Sequence, residues 1–296
     1  MRIVSLLPST TEILFVIGAG DHVVGVTVEC DTPVEARERA IVSTTTIPGG
    51  LTSREIDAFV SAAMAAGEDL YHLDQGALSR LDADLVVTQD LCAVCAVDVS
   101  VVDEALDYLG CRADVLTIDP HTLADVLDSV VQLGQASGTE RAATALVKSL
   151  TARLYAVEQV VRDLPRPRAL VLEWTDPPFA PGHWVPEMVE AAGGASALGR
   201  KGEKSVRIRW DDVRGCGADV VVCAPCGYDL EGAAALGEAL LASGELPPGI
   251  PVWAVDANAS FARPGPRLVD GVEALAGILH PDAAQPPNPM MARRLR

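Results

Sequence analysis

Two pairs of cysteines have the spacing found in metal sites and in redox disulfides. Cys92 and Cys95 follow the candidate strand Leu85–Thr88, and Cys223 and Cys226 lie at the end of another candidate strand. The C-x-x-C spacing suits a Zn²⁺ ion or an iron–sulfur cluster. Four thiolates reach one metal only if the fold brings both pairs together, so four thiols that line loops are the alternative. A redox disulfide is a third interpretation, although the thioredoxin-like βαβ context is not evident.

His183 is the residue with the most distinctive chemistry outside the cysteines. Pro181 and Gly182 precede it directly, which predicts an exposed loop. Neutral imidazole is a natural axial ligand for cobalt or iron. A loop histidine that only hydrogen-bonds the backbone is the alternative.

Acid–base catalysis is a further hypothesis. Glu12, Asp31, His183 and Glu187 could act as acids or bases if the fold brings them together. The sequence contains no Ser-His-Asp order, no glycine-rich phosphate loop and no H-E-x-x-H motif. An enzyme of unknown reaction therefore remains an alternative to a protein that only binds.

The first residues place a strand directly before a helix. Arg2–Leu6 is a strand candidate, and Ser9 with Glu12 spells S-x-x-E, which predicts a capping box at the start of a helix. Ligands of open α/β sheets gather at the carboxyl ends of strands, where helix N-termini offer free N–H groups. The alternative is a capped helix without a ligand.

The elements that must position these residues follow an α/β pattern in both halves of the chain, with short apolar runs alternating with amphipathic helices. The strand candidates are Arg2–Leu6, Val23–Val26, Leu85–Thr88, Val115–Ile118, Ala169–Glu173, Val220–Cys223 and Val252–Val255. The helices predicted between them begin at or near Ser9, Thr52, Asp98, Pro186, Leu230 and Pro264. The pattern predicts two α/β lobes, residues 1–121 and 165–281.

The segment 122–164 separates the two lobes and predicts a long helix. Apolar residues recur with helical period between Ala142 and Val161. About 25 residues, from Thr139 to Asp163, would form a helix about 37 Å long, which suits a rigid strut between lobes. An ordinary surface helix of the second lobe is the alternative. The proline-rich tail, residues 282–296, is predicted to be disordered.

Composition limits the partners. The formal net charge of −18 and the hydrophobic content of 49% indicate a globular, acidic protein. Such a charge disfavours nucleic acid and anionic membranes as partners. No apolar run approaches the length of a membrane span, so no membrane insertion is expected.

The cysteines and the N-terminus indicate the location. Seven cysteines, an odd number, and the absence of a secretory signal at Met1 predict a cytoplasmic protein. If a signal has been removed, the prediction becomes periplasmic or extracellular.

Several segments, in order along nearly the whole chain, resemble the class III (helical-backbone) substrate-binding proteins of ABC transporters, and in particular their cobalamin-binding branch. The opening segment reads Ser-Leu-x-Pro-Ser-x-Thr-Glu, and Cys30-Asp31-Thr32-Pro33 follows the second strand. The segments of the second half are Glu173–Phe179, Gly182–Glu187, Ala192–Gly194, Asp256–Phe261 and Arg263–Arg267. The resemblance implies two Rossmann-like lobes joined by a long backbone helix.

The resemblance also implies that cobalamin, or a related corrinoid or metal chelate, lies in a cleft between the lobes. The ligand-binding residues that it implies in the first lobe are Pro8, Ser9, Thr10, Cys30 and Asp31. Those in the second lobe are Trp174, His183, Trp184, Phe261 and Arg263. Aromatic rings would lie along the macrocycle, and Arg263 would pair with a propionamide or phosphate edge. Core packing is the alternative for Trp174 and Phe261.

The sequence departs from the transport members of that family in two respects. Transport members are exported and dock on a permease through acidic residues, for which Glu55 is the N-lobe candidate. The absence of an export signal makes delivery to a permease doubtful. Ser260 stands where a tryptophan is expected near the cleft, so the ligand could differ from cobalamin. The alternative cofactor is Zn²⁺ or an iron–sulfur cluster, bound by Cys92, Cys95, Cys223 and Cys226.

Overall fold

A computed structural model describes residues 1–89 and 113–296. Within these residues the chain divides into two compact units. The N-terminal unit comprises 1–120 and 125–147, and the C-terminal unit comprises 121–124 and 148–296. The lobe boundaries predicted above are close to these divisions and remain a proposal. The predicted helix that begins at Asp98 lies outside the described residues.

The N-terminal unit contains a mainly parallel sheet. Its described strands are β1 (Ile3–Ser5), β2 (Val23–Thr27), β3 (Ala40–Thr45), β4 (Tyr71–Leu73), β5 (Leu85–Thr88) and β6 (Asp114–Thr117). Their order is β4-β3-β2-β1-β5-β6, and only β4 is antiparallel to its neighbour. The helices described here are α1 (Pro8–Val16), α2 (Ser53–Ala66), α3 (Gln75–Leu81) and α4 (Leu123–Ser137), and the first two residues of α4 belong to the C-terminal unit.

The central strands β1 and β5 are buried on both faces of the sheet, as expected of a parallel sheet. Successive residues of β1 and β5 enter opposite clusters: Ile3 and Val87 pack on one side, and Val4 and Val86 pack on the other. This continuous burial explains why these strands read as uninterrupted apolar runs in the sequence. It also fixes the carboxyl end of β1 directly before α1.

The long helix is confirmed as α5 (Glu140–Val161), which has 22 residues. The division between the two units falls within it, after Val147. In the C-terminal unit, the guanidinium of Arg153 donates hydrogen bonds to Glu273 at 2.9 and 2.6 Å and to Asp270 at 2.5 Å. The bond to Glu273 is the main reason why the pKa of Arg153 is raised. The role of α5 as a stiff strut remains a prediction.

The C-terminal unit contains a second mainly parallel sheet. Its strands are β7 (Arg168–Leu172), β10 (Ala195–Ser196), β12 (Val220–Cys223), β13 (Val252–Val255) and β14 (Ala292–Arg294), in the order β10-β7-β12-β13-β14. A small antiparallel sheet contains β8 (Trp174–Thr175), β9 (Pro178–Ala180) and β11 (Val206–Arg207). The helices are α6 (Val185–Ala191), α7 (Trp210–Gly215), α8 (Leu230–Ser243), α9 (Ala257–Ser260) and α10 (Leu268–Leu279).

The prediction of a disordered tail was wrong for its last residues. Ala292, Arg293 and Arg294 form β14, which pairs antiparallel with β13. Arg293 also forms an ion pair with Glu231 of α8, and Leu295 contacts the core of the sheet. Tertiary pairing with an existing strand provides the hydrogen bonds that the proline-rich local sequence cannot provide alone. None of the described helices is both long enough and apolar enough to cross a membrane.

The capping-box pattern of Ser9 and Glu12 recurs in the sequence at Thr52 and Glu55, and the two predictions differ in outcome. At α2, the Thr52 hydroxyl accepts a hydrogen bond from the backbone N–H of Glu55, and the Glu55 carboxylate accepts one from the backbone N–H of Thr52. At α1 the prediction was wrong, because the helix already begins at Pro8 and Leu7 is the N-cap residue. Proline suits the first helical position, since its missing N–H would be unpaired there.

Candidate functional site

The carboxyl end of β1 carries a buried network of hydroxyl and thiol groups. The hydroxyl oxygen of Ser5 lies 2.7 Å from that of Thr10 and 2.8 Å from that of Thr11. Thr11 Oγ1 is also 2.9 Å from the carbonyl oxygen of Leu7 and 3.1 Å from the sulfur of Cys30. These contacts tie the start of α1 to the loop after β2, because each buried polar group needs a partner there.

The structure places the predicted N-lobe site residues around this network. Pro8 begins α1 and is half-buried, whereas Ser9, Thr10 and Cys30 are buried. Asp31 is half-buried, and its carboxylate accepts a hydrogen bond of 3.1 Å from the Thr32 hydroxyl. Thr10 and Cys30 therefore hold the loops in place, and Pro8 and Asp31 are the more accessible members. Their role in ligand binding remains a prediction.

In the C-terminal unit, Trp184 and Phe261 are core residues. Trp184 is 4% exposed and Phe261 is 2% exposed, so neither ring offers much area to a ligand. The indole N–H of Trp184 donates a hydrogen bond of 2.7 Å to the backbone carbonyl of Phe261. This bond fixes the start of α6 to the end of α9. The packing supports a positioning role for both residues.

His183 has a backbone conformation that is rare for residues other than glycine. Its φ angle is +49°, in the left-handed region. Two backbone hydrogen bonds hold it there: His183 N–H donates to the Glu203 carbonyl at 2.6 Å, and Gly202 N–H donates to the His183 carbonyl at 2.9 Å. Such strain is of order 1–3 kcal/mol and persists where the surroundings fix it, often at functional sites. The backbone that carries the half-buried imidazole is thus held in one defined position.

A second histidine, which the sequence analysis did not single out, lies beside the first. The ring centroids of His121 and His183 are 6.1 Å apart, and the ring of Trp184 is 5.5 Å from that of His183. His121 lies two residues before the start of α4, whereas His183 lies two residues before the start of α6, far away in sequence. No local motif connects them, so only the tertiary structure reveals the pair.

Trp174 forms the other half-buried aromatic contact among the predicted site residues. Its ring lies 5.8 Å from that of Tyr228, at an interplanar angle of 56°. The carboxylate of the adjacent residue, Glu173, accepts hydrogen bonds from the Gly182 N–H, at 3.2 Å, and from the Ser205 hydroxyl. Glu173 therefore links the strand that carries Trp174 to the loop that carries His183. Arg263 is half-buried after the end of α9.

The two described cysteines of the predicted metal site have different environments. Cys223 is buried at the end of β12, and burial raises the pKa of its thiol to about 12. Cys226 is exposed on the following loop. A buried, protonated thiol is a poor metal ligand, because metals bind thiolate. Cys92 and Cys95 lie outside the described residues, and the described residues contain no group of three or more metal-ligating side chains. The four-cysteine site remains a prediction.

The chain belongs to the periplasmic binding protein family, whose model matches residues 3–236. An uncharacterized ABC transporter substrate-binding lipoprotein, YvrC of Bacillus subtilis (strain 168), is 27% identical over 164 residues. This match covers 55% of the chain and 42% of YvrC, so it spans about two fifths of that curated relative.

Solved structures of two bacterial binding proteins share the fold. A periplasmic heme binding protein from Pseudomonas aeruginosa has a TM-score of 0.71 and 18% identity, covering 98% of this chain and 96% of its own. The periplasmic vitamin B12 binding protein BtuF of Vibrio cholerae has a TM-score of 0.64 and 19% identity, covering 94% of this chain and 96% of its own. At these identities the likeness establishes the fold, and it confirms the α/β class III architecture predicted from the sequence.

Proposed function

We propose that this protein is a substrate-binding protein for a flat metal chelate of the corrinoid or heme type, and that His183 contacts its metal. The observation that carries the proposal is the half-buried imidazole of His183, held with φ +49° by two backbone hydrogen bonds. Imidazole binds cobalt and iron well, and a loop whose backbone is already fixed loses little entropy on binding.

The other half-buried residues of the C-terminal unit suit the rest of such a ligand. Trp174 and Tyr228 offer aromatic surface, which favours contact with a large flat ring. Arg263 offers a guanidinium that can pair with carboxylate or phosphate groups at the ring edge. Cobalamin or a related corrinoid is the ligand that the sequence resemblance implies. Heme is the second candidate, because its propionates are carboxylates that suit Arg263 and its iron is commonly held by histidine.

Titration of the protein with hydroxocobalamin, cobinamide and hemin tests this proposal. We expect saturable one-to-one binding of at least one of these chelates, with a change in visible absorbance that reports imidazole on the metal. His183→Asn should abolish that spectral change, because asparagine tolerates the left-handed backbone but does not replace the imidazole. Trp174→Ala should weaken binding through lost ring contact.

The matched control is His72→Ala, which removes an exposed histidine on β4. It should bind like the unchanged protein. Absence of binding to all three chelates would overturn the proposal while leaving the fold unaffected. Binding that survives in His183→Asn with an unchanged spectrum would remove His183 from the site.

We infer that the partner is an ABC permease and that the protein acts outside the cytoplasm. The curated relative is a substrate-binding lipoprotein, which supports this location over the cytoplasmic one predicted from the sequence. Glu55 is the predicted acidic contact, and its exposed carboxylate is held by the hydrogen bonds of the Thr52 capping box. Cell fractionation tests the location: recovery in the cytosolic fraction alone would contradict it.

A further inference from the structure

The two loops that carry His121 and His183 are fixed to the same short helix of the C-terminal unit. Glu187, in the first turn of α6, accepts a hydrogen bond of 2.9 Å from the backbone N–H of Leu123, two residues after His121. The other carboxylate oxygen of Glu187 lies 3.6 Å from the ammonium of Lys201, which belongs to the loop that holds His183. One carboxylate thus links the backbone beside His121 to the loop that supports His183.

The separation of the two rings is compatible with coordination of one metal ion. An imidazole nitrogen binds Zn²⁺ at about 2.0–2.1 Å, and with the ring centre about 1.1 Å further away, two imidazoles on one ion have centroids about 5 to 6 Å apart. The observed separation of 6.1 Å is slightly larger than that range. Coordination of one ion therefore requires the two rings to move slightly closer and to turn a ring nitrogen toward it.

We propose that His121 and His183 form a two-imidazole site for a divalent first-row transition-metal ion, with water in the remaining coordination positions. Imidazole favours Zn²⁺, Ni²⁺, Cu²⁺ and Co²⁺ over the harder ions Mg²⁺ and Ca²⁺. The described residues add no third side chain to the pair. The site is therefore open, as in metal centres that keep positions for exchangeable ligands.

This inference deepens the proposed function, because it uses the same imidazole of His183, but it does not require a macrocycle. It assigns a metal-binding role to His121, which no sequence motif indicates. The two claims can fail separately. Metal-ion binding without chelate binding would support the two-imidazole site alone, and chelate binding that does not depend on His121 would support the proposed function alone.

Calorimetric titration with Ni²⁺ and Co²⁺ tests the site. The full chain is first freed of metal by dialysis against a chelator. A Cys226→Ser background removes, as a competing ligand, the exposed thiol found among the described residues. We expect one ion per chain, with affinity reduced at least tenfold by His121→Gln and by His183→Asn. The double variant should bind no more weakly than the weaker single variant, since removing either ligand already breaks the site.

The control is again His72→Ala, which should retain full affinity. Circular dichroism shows whether the variants are folded, and both replacements keep a polar side chain of similar size. Two results would overturn the inference: no ion bound by the unchanged protein, or His121→Gln binding as tightly as its parent. An intense thiolate charge-transfer band with Co²⁺ would also overturn it, because the ion would then be on cysteine.

Discussion

The carboxyl end of β1 in the N-terminal unit and the His183 loop in the C-terminal unit use polar side chains in opposite ways. In the N-terminal unit, Ser5, Thr10 and Thr11 are buried, and their hydroxyl groups bond to one another and to the backbone. In the C-terminal unit, His121 and His183 remain half-buried on loops that backbone hydrogen bonds and Glu187 hold. The first arrangement fixes backbone position, whereas the second presents side chains that can bind a ligand.

The ligand-binding residues that the family resemblance implies also divide into buried supports and half-buried, accessible residues. Thr10, Cys30, Trp184 and Phe261 are buried and support loops, whereas Trp174, His183 and Arg263 are half-buried. A resemblance in sequence does not distinguish these two roles, because a residue that holds a loop in place is as characteristic of a site as one that touches the ligand. Substitutions that separate stability from binding can distinguish them.

The largest effect is expected from Phe261→Ala. Removing a fully buried phenylalanine leaves a cavity and should lower the free energy of unfolding by about 3–5 kcal/mol. Urea unfolding measures this change. Tyr155→Ala is the control, because Tyr155 is 59% exposed, and its effect should stay within about 0.5 kcal/mol. Unchanged stability with lost chelate binding would instead make Phe261 a ligand contact.

A smaller effect is expected from Thr11→Val, which keeps the shape of the side chain but removes its hydroxyl. Ser5, the Leu7 carbonyl and Cys30 would each lose a partner in a buried network. Losing these two or three buried hydrogen bonds, each worth about 0.5–1.5 kcal/mol, should cost about 1–3 kcal/mol of unfolding free energy. The same substitution at Thr151, which is exposed on α5, is the matched control. Equal effects at both positions would show that the network contributes no more than an exposed hydroxyl.

The smallest effect is expected at the capping box of α2. Thr52→Ala removes the N-cap hydroxyl and should cost about 0.5–2 kcal/mol. Hydrogen bonds from the backbone and the hydroxyl of Thr52 hold the pKa of Glu55 below its ordinary value of 4.5. The ionised carboxylate of Glu55 therefore stabilises the folded state above about pH 4.5. This contribution is lost as the pH falls through the lower pKa that Glu55 has in the folded state.

Acid unfolding followed by circular dichroism checks the contribution of Glu55. Glu55→Gln should flatten the pH dependence of stability below about pH 4.5. Glu68→Gln, which changes an exposed carboxylate just after α2, should leave that dependence as it is. The same flattening in both variants would mean that the loss of negative charge, and not the capping box, is responsible.

Much of the fold was predictable from local sequence. The candidate strands Leu85–Thr88, Val220–Cys223 and Val252–Val255 match β5, β12 and β13 residue for residue. They could be read because each strand is buried and therefore continuously apolar. Helix α2 could be read because its capping box and Gly67, with φ +68°, mark both ends locally. The long helix α5 was predictable from its apolar period.

Other elements could not be predicted, because their stability comes from partners that are distant in sequence. Strand β14 forms because β13 offers a free edge to the chain that returns there. The short strands β8, β9 and β11 are held by pairing with one another and have too few residues to show a period. Helix α1 begins at Pro8 rather than at the apparent cap Ser9 because the hydroxyl network binds the turn at Leu7.

The sequence by itself determined the α/β class, the long helix and the family, because these depend on local periodicity and on collinear motifs. Only the tertiary structure decided which polar and aromatic residues are buried supports and which are accessible. It also decided that His121 and His183, although far apart in sequence, lie side by side. The physical reason is that burial and proximity are properties of how distant segments pack, and no window of local sequence contains that information.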